Sequence, residues 1–253
     1  MVLSENLGIA DSRITTDAPL LPPQKATPTG HIAIDVFVGG EQQTATDSFV
    51  ENLIQAFVTK HGTKPIIDAK EEFFKHGGKI FAEDDNYHQR IYYFLNHFIF
   101  ERPLNTFSRS TPFLEHLEAK PEASDIEGFT HSLFKILKIR PDHLMLKDLF
   151  SEKKLRVDRQ DLEVFEGISK DDVFQGILLH RGAFTNLSRG LIFHPPRAHK
   201  IIASLLKQEK KIQRFGKDQI LFALARLQLK HTRLKHVDPK VVYQENILQT
   251  SML

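Results

Sequence analysis

Apolar positions recur at helical spacing in the first half of the chain and alternate in the middle. Phe49, Leu53, Ile54, Phe57 and Val58 predict a helix over 46–61, with Thr46 or Asp47 as its cap. Ile66, Ile67, Phe73 and Phe74 predict a second helix from Pro65 to about Lys75, stopped by His76-Gly77-Gly78. Tyr87, Ile91, Phe94, Leu95 and Phe98 form one stripe along 83–101. Acidic residues open that segment, where the positive end of a helix dipole favours them, and Pro103 closes it. Thr111-Pro112 ahead of Phe113, Leu114 and Leu117 predicts a short helix with proline at its first position.

From about Ser132 the period falls to two. Strands are expected at 132–139, 144–150, Lys154–Asp158, 173–180 and 190–194, with a short one at Phe184–Leu187. Arg140-Pro141-Asp142 and Ser151-Glu152-Lys153 supply turns between them. Short strands joined this tightly predict a small antiparallel β-barrel, closed or half-closed. Pro195-Pro196 ends the β region. Two amphipathic helices are then expected at 197–213 and 217–235, separated by Gly216. Upstream, 31–40 reads as one strand ending in a glycine pair. Residues 1–30 hold Pro19, Pro22, Pro23 and Pro28 without an apolar period, and read as a disordered or loosely attached arm. The expected fold is α+β: the arm, a Phe-rich helical region with one strand over 31–130, a small barrel over 131–196, and basic helices over 197–253.

Composition removes several chemistries. The chain has 253 residues and no Cys, so disulfides, thiol nucleophiles and Cys-ligated metals are excluded. No apolar run reaches the roughly 18 residues of a membrane span, so no membrane insertion is expected. The N-terminus lacks a basic stretch followed by an apolar core, and a cytoplasmic location is expected. Ten of the 24 aromatic residues lie between Phe73 and Phe107, which predicts a Phe-rich helical core. The net charge of +2 hides an asymmetry: residues 197–240 hold 12 of the 34 Lys and Arg but only 3 of the 32 Asp and Glu. Such a segment is either a footprint for an anionic partner or a surface that docks on the acidic part of its own chain. The candidate contacts are Arg197, Lys200, Lys207, Lys210, Lys211 and Arg214 on or beside the first C-terminal helix. Lys217, Arg226, Lys230, Arg233 and Lys235 belong to the second.

Motifs are few. No G-x-x-x-x-G-K-[ST] or G-x-G-x-x-G loop exists, so no nucleotide or dinucleotide cofactor is expected. None of the 13 histidines falls in H-E-x-x-H, and no G-x-S-x-G occurs. His88 stands four residues after Asp84 and beside Asp85, but a third ligand is not visible. With Arg90, Glu101 and Arg102 these residues form a polar cluster on an otherwise apolar helix, an alternative site to the basic helices. Dipole complementarity at the helix start and an ion pair near its end are the favoured explanation of the cluster. No catalytic, cofactor or metal residue is assigned.

Two resemblances remain. Asn186-Leu187-Ser188-Arg189-Gly190 resembles the N-x-S-x-x-G turn of PilZ domains, small barrels that bind cyclic di-GMP. Its glycine comes one residue early, and the paired arginines that clamp the diphosphate have no upstream match; Arg156 and Arg159 are spaced wrongly. Phe98-Ile99-Phe100-Glu101-Arg102-Pro103-Leu104, Thr111-Pro112, Ser132–Ile136, Leu146–Leu149, Asp172-Val173-Phe174 and Phe193-His194-Pro195 resemble an uncharacterised bacterial protein family. Some of its members carry a C-terminal SEC-C zinc motif; with no Cys this chain has neither the motif nor its metal. That resemblance implies helices followed by a small barrel, and no activity. The expected function is a non-enzymatic interaction or regulatory protein whose basic helices meet nucleic acid or another polyanion. The alternatives are a protein–protein adaptor, a PilZ-like dinucleotide-binding barrel, or an enzyme of unrecognised class.

Overall fold

The computed structural model describes residues 45–105, 107, 109–119, 126–159 and 167–244. The arm and strand expected over 1–40, and the side chains of Thr46 and Asp47, lie outside that set. Helices α1 (Ala45–His61) and α2 (Lys64–Gly77) lead to α3 (Tyr87–Asn96), a π-helical turn (His97–Glu101) and α4 (Pro112–Ala119). Six strands follow: β1 (Gly128–Ile139), β2 (His143–Asp148), β3 (Lys154–Asp158), β4 (Val173–Arg181), β5 (Phe184–Leu187) and β6 (Ile192–His194). A 3-10 turn (Pro196–Ala198) opens the C-terminal helices α5 (His199–Ile212), α6 (Lys217–Arg233) and α7 (Pro239–Gln244). The α+β class and element order match the expectation.

The strand order is β3-β2-β1-β4-β5, all antiparallel, with β6 pairing β4 beside β5. The sheet curls into a half-barrel. β3 and β5 meet through a side chain, Thr185 N–H donating to Asp158 Oδ2 at 3.2 Å. The concave face holds its own core of Phe134, Ile136, Leu144, Leu146, Val157, Phe174 and Leu178. Alternation turns Phe129, His131 and Leu133 to the other face, with Leu179, Ile177 and Gln175 as their cross-strand partners. That face meets the helices.

Two departures have physical causes. The acidic residues before α3 do not begin the helix. Asp84 folds back to accept the Phe81 N–H at 2.8 Å, forming a turn, and α3 starts at Tyr87. The second C-terminal helix is also not a surface cover with one apolar face. Ile220, Leu221, Ala223, Leu224, Ala225, Leu227, Gln228 and Leu229 are all buried. Ala225 and Leu229 pack with the Phe-rich core of α1–α4, while Ile220, Leu221 and Leu224 pack with α5 and α7. A helix apolar on nearly all sides belongs in the interior. Burying each Leu or Ile there contributes about 1.5–3 kcal/mol.

Candidate functional site

The basic residues divide into two groups. Arg233 donates to Asp84 Oδ1 and Oδ2 at 2.8 and 2.7 Å and to the Lys79 carbonyl at 2.8 Å. Lys235 pairs with Asp85, Arg197 with Asp238 and Lys210 with Glu152. Two of these four therefore dock on the acidic helical half. Arg226 and Lys230 on α6 are engaged with neighbours as well. Lys217 lies near enough to Glu101 for its charge to favour that carboxylate. Arg214 stacks its guanidinium 5.1 Å from the centroid of the Phe215 ring. Lys200, Lys207 and Lys211 are exposed and make no ion pair among the described residues. Their spacing places all three within about 40° of arc on α5, along about 16 Å of its axis.

The alternative polar cluster is taken apart by the fold. Asp84 and Asp85 serve the ion pairs above, and the Arg233 hydrogen bond holds the Asp84 carboxyl below its usual range. His88 is exposed on the first turn of α3 and joins no ligand set among the described residues. Arg90 is buried and clasps α6, donating to the Ala225 carbonyl at 3.2 and 3.3 Å and to Gln228. Burial lowers the Arg90 pKa to about 10, with the Asp84 carboxylate acting the other way. Arg102 pairs with Glu72 at 3.0 Å. Of the cluster, Glu101 and Arg102 line a pocket with other ionisable groups.

That pocket is a cavity of about 300 Å³ between α2, the π-turn and the start of α6, walled by Phe73, His76, His97, Glu101, Asp218 and Phe222. The π-turn builds its rim: the Arg102 N–H bonds the His97 carbonyl, five residues back, at 3.0 Å. Such turns inside helices frequently mark functional positions. Burial drives the His97 pKa to about 3, so its imidazole is neutral at pH 7. Burial alone pushes Glu101 up, but the His131 contact and the charge of Lys217 outweigh it and hold the carboxyl below its usual value. Behind Glu101, the side chain of His131 is 3% exposed, with Nδ1 3.3 Å from Glu101 Oε1. That contact is off the line of a hydrogen bond, and Nδ1 has no hydrogen-bond partner. Asp218 completes the group: one ligand atom from each of Glu101, His131 and Asp218 lies within 4.8 Å of the others.

A chain of buried hydrogen bonds runs from His131 through the molecule, and its direction follows from one carbonyl. Gln175 Nε2 lies 3.1 Å from the Leu221 carbonyl, which can only accept, so the amide nitrogen points there. The same nitrogen donates to Tyr93 Oη at 2.8 Å. The Tyr93 hydroxyl then donates to His131 Nε2 at 2.9 Å, which leaves the His131 proton on Nδ1, facing Glu101. On the other side Gln175 Oε1 accepts from His194 Nε2 at 3.2 Å, and Tyr243 donates to His194 Nδ1 at 2.8 Å. Every donor points toward the pocket. Burial drives His194 to about 3 and raises Tyr93 and Tyr243, so these three links are neutral at pH 7.

No known family, curated protein or solved structure matches this chain. The family resemblance therefore stands on sequence segments alone. The PilZ-like turn is packed inward: Ser188 donates to Asn96 Oδ1 at 3.1 Å, Asn186 is buried, and Gly190 lies against the α3 backbone. No helix among the described residues is long and apolar enough to cross a membrane.

Sequence reading missed His131, Gln175 and Asp218. His131 fell one residue outside the strand predicted at 132–139, and Asp218 stands in the first turn of a helix, where an acidic residue carries no signal of a site. Gln175 did carry a signal: a lone amide inside the apolar run Val173-Phe174-Gln175-Gly176-Ile177-Leu178-Leu179 must find buried partners.

Proposed function

We propose that the protein is a non-enzymatic interaction protein that meets the phosphate backbone of a nucleic acid through the exposed face of α5. The observation that supports this is the stripe of Lys200, Lys207 and Lys211, three cations without an ion pair among the described residues on the exposed face of α5. Phosphate contacts require positive charge in register and no particular motif. Arg197, Lys210, Arg233 and Lys235 are left out of the interface because carboxylates of the same chain already neutralise them. Fluorescence anisotropy with labelled DNA and RNA at low salt tests the division. The triple variant Lys200→Gln, Lys207→Gln, Lys211→Gln loses most of the binding, and Lys235→Gln keeps it. Equal losses in the two variants, or no binding by the wild type, refute the proposal.

A further inference from the structure

We propose that Glu101, His131 and Asp218 form a site for a divalent transition-metal ion, and that the bound ion reverses the hydrogen-bond chain behind it. This site is separate from the α5 face and does not depend on it. The three side chains come from the π-turn, β1 and the start of α6, and their ligand atoms already converge within 4.8 Å. The 3.3 Å separation of Glu101 Oε1 and His131 Nδ1 matches the edge of a tetrahedron with bonds of about 2.0–2.1 Å. His131 Nδ1 is a buried polar atom with no hydrogen-bond partner, aimed at two carboxylates. A metal ion supplies that partner. One imidazole with two carboxylates suits zinc, manganese or iron(II) better than the all-oxygen preference of magnesium or calcium. Three protein ligands leave a fourth position, and here it faces the 300 Å³ cavity with neutral His97 on its wall. Arg102, the guanidinium on the same rim, is turned to Glu72.

The reversal follows from proton bookkeeping. Metal binding at His131 Nδ1 moves the imidazole proton to Nε2, which then donates to Tyr93 Oη. The Tyr93 hydroxyl, displaced from its acceptor, donates instead to Gln175 Oε1 once that amide flips. Gln175 Nε2 then faces His194 Nε2, which becomes the acceptor, and the His194 proton moves to Nδ1 and is donated to Tyr243 Oη. Each contact in the chain survives with donor and acceptor exchanged. The bond from Gln175 to the Leu221 carbonyl is lost, and the Tyr243 hydroxyl proton gives up its His194 acceptor. These two losses select one direction without metal, and metal ligation selects the other. The far end of the relay is Tyr243 on α7, which changes from donor to acceptor.

Zinc chloride titration of the full chain by calorimetry, paired with nitrogen-15 NMR of the imidazoles, tests both parts. The expected result is one zinc per chain, weakened by at least about 10-fold in Asp218→Asn, with magnesium chloride not competing. Asp218 is exposed, so that variant folds, and circular dichroism confirms it. Before zinc, His131 carries its proton on Nδ1 and His194 on Nε2; with zinc the His194 proton appears on Nδ1 and His131 keeps a proton only on Nε2. No saturable zinc uptake, or equal affinity in Asp218→Asn, overturns the site. Zinc bound with an unmoved His194 tautomer overturns the reversal.

Discussion

Replacing Gln175 with leucine tests the buried relay most severely. The side chain is fully buried and makes three hydrogen bonds, to Tyr93 at 2.8 Å, the Leu221 carbonyl at 3.1 Å and His194 at 3.2 Å. Leucine is close in volume, so cavity formation contributes little. The His194 Nε2–H is left buried without an acceptor, at a cost of about 1–3 kcal/mol. The other two lost bonds cost about 1 kcal/mol each, because Tyr93 retains His131 and a carbonyl has a second lone pair. Gained apolar contact offsets a fraction of this, leaving a loss of about 3 kcal/mol. Urea denaturation at pH 7 reads it as a lower midpoint at unchanged slope. Tyr93→Phe removes an overlapping part of the relay, so the double variant costs less than the sum of the singles by about 1 kcal/mol. A Gln175→Leu loss under about 1 kcal/mol, or strict additivity with Tyr93→Phe, refutes the network as drawn.

Acid sensitivity follows from His194, whose pKa falls from 6.5 to about 3 on burial. A depressed folded value gives stability that is complete above pH 6.5 and is lost as pH falls toward 3, because the unfolded chain binds the proton first. By pH 5 the loss is about 2 kcal/mol, and His194→Gln flattens the slope in urea midpoints measured from pH 7 to 5. Gly190→Ala is far more damaging than its size suggests. Gly190 has φ +86°, and an added Cβ lies 2.4 Å from the Tyr93 backbone nitrogen, so thermal unfolding reports a loss of at least about 3 kcal/mol. Asp84→Asn costs about 1 kcal/mol, since the Arg233 guanidinium it releases is partly solvated, and added salt shrinks the difference between variant and wild type.

Much of the fold was legible because its strands are short and sharply punctuated. Lys154–Asp158 and Phe184–Leu187 fall where turn residues bound them. The register that turns His131 and Gln175 toward the helices was not legible, because the strand carrying His131 begins at Gly128, four residues before the alternation becomes visible. The π-turn was hidden for a related reason: the stripe through Phe94 and Phe98 fits an α-helix equally well, and the switch to i→i+5 bonding is set by tertiary packing. Charge misled in one place. Arg233 and Lys235 looked like part of a continuous basic face, yet their partners Asp84 and Asp85 lie about 150 residues away along the chain. Long-range neutralisation of that kind leaves no local pattern. On α5 the same composition does produce an open face, because Glu209 is turned inward and accepts the Phe215 N–H at 3.2 Å.

The salt dependence of DNA binding tests the α5 interface most directly. Plotting the logarithm of the association constant against that of salt concentration gives a slope of about −0.9 per phosphate contact on duplex DNA. Removing Lys200, Lys207 and Lys211 together is predicted to flatten that slope by about 2–3 units while leaving the unfolding midpoint unchanged. A slope identical to that of the wild type contradicts the interface.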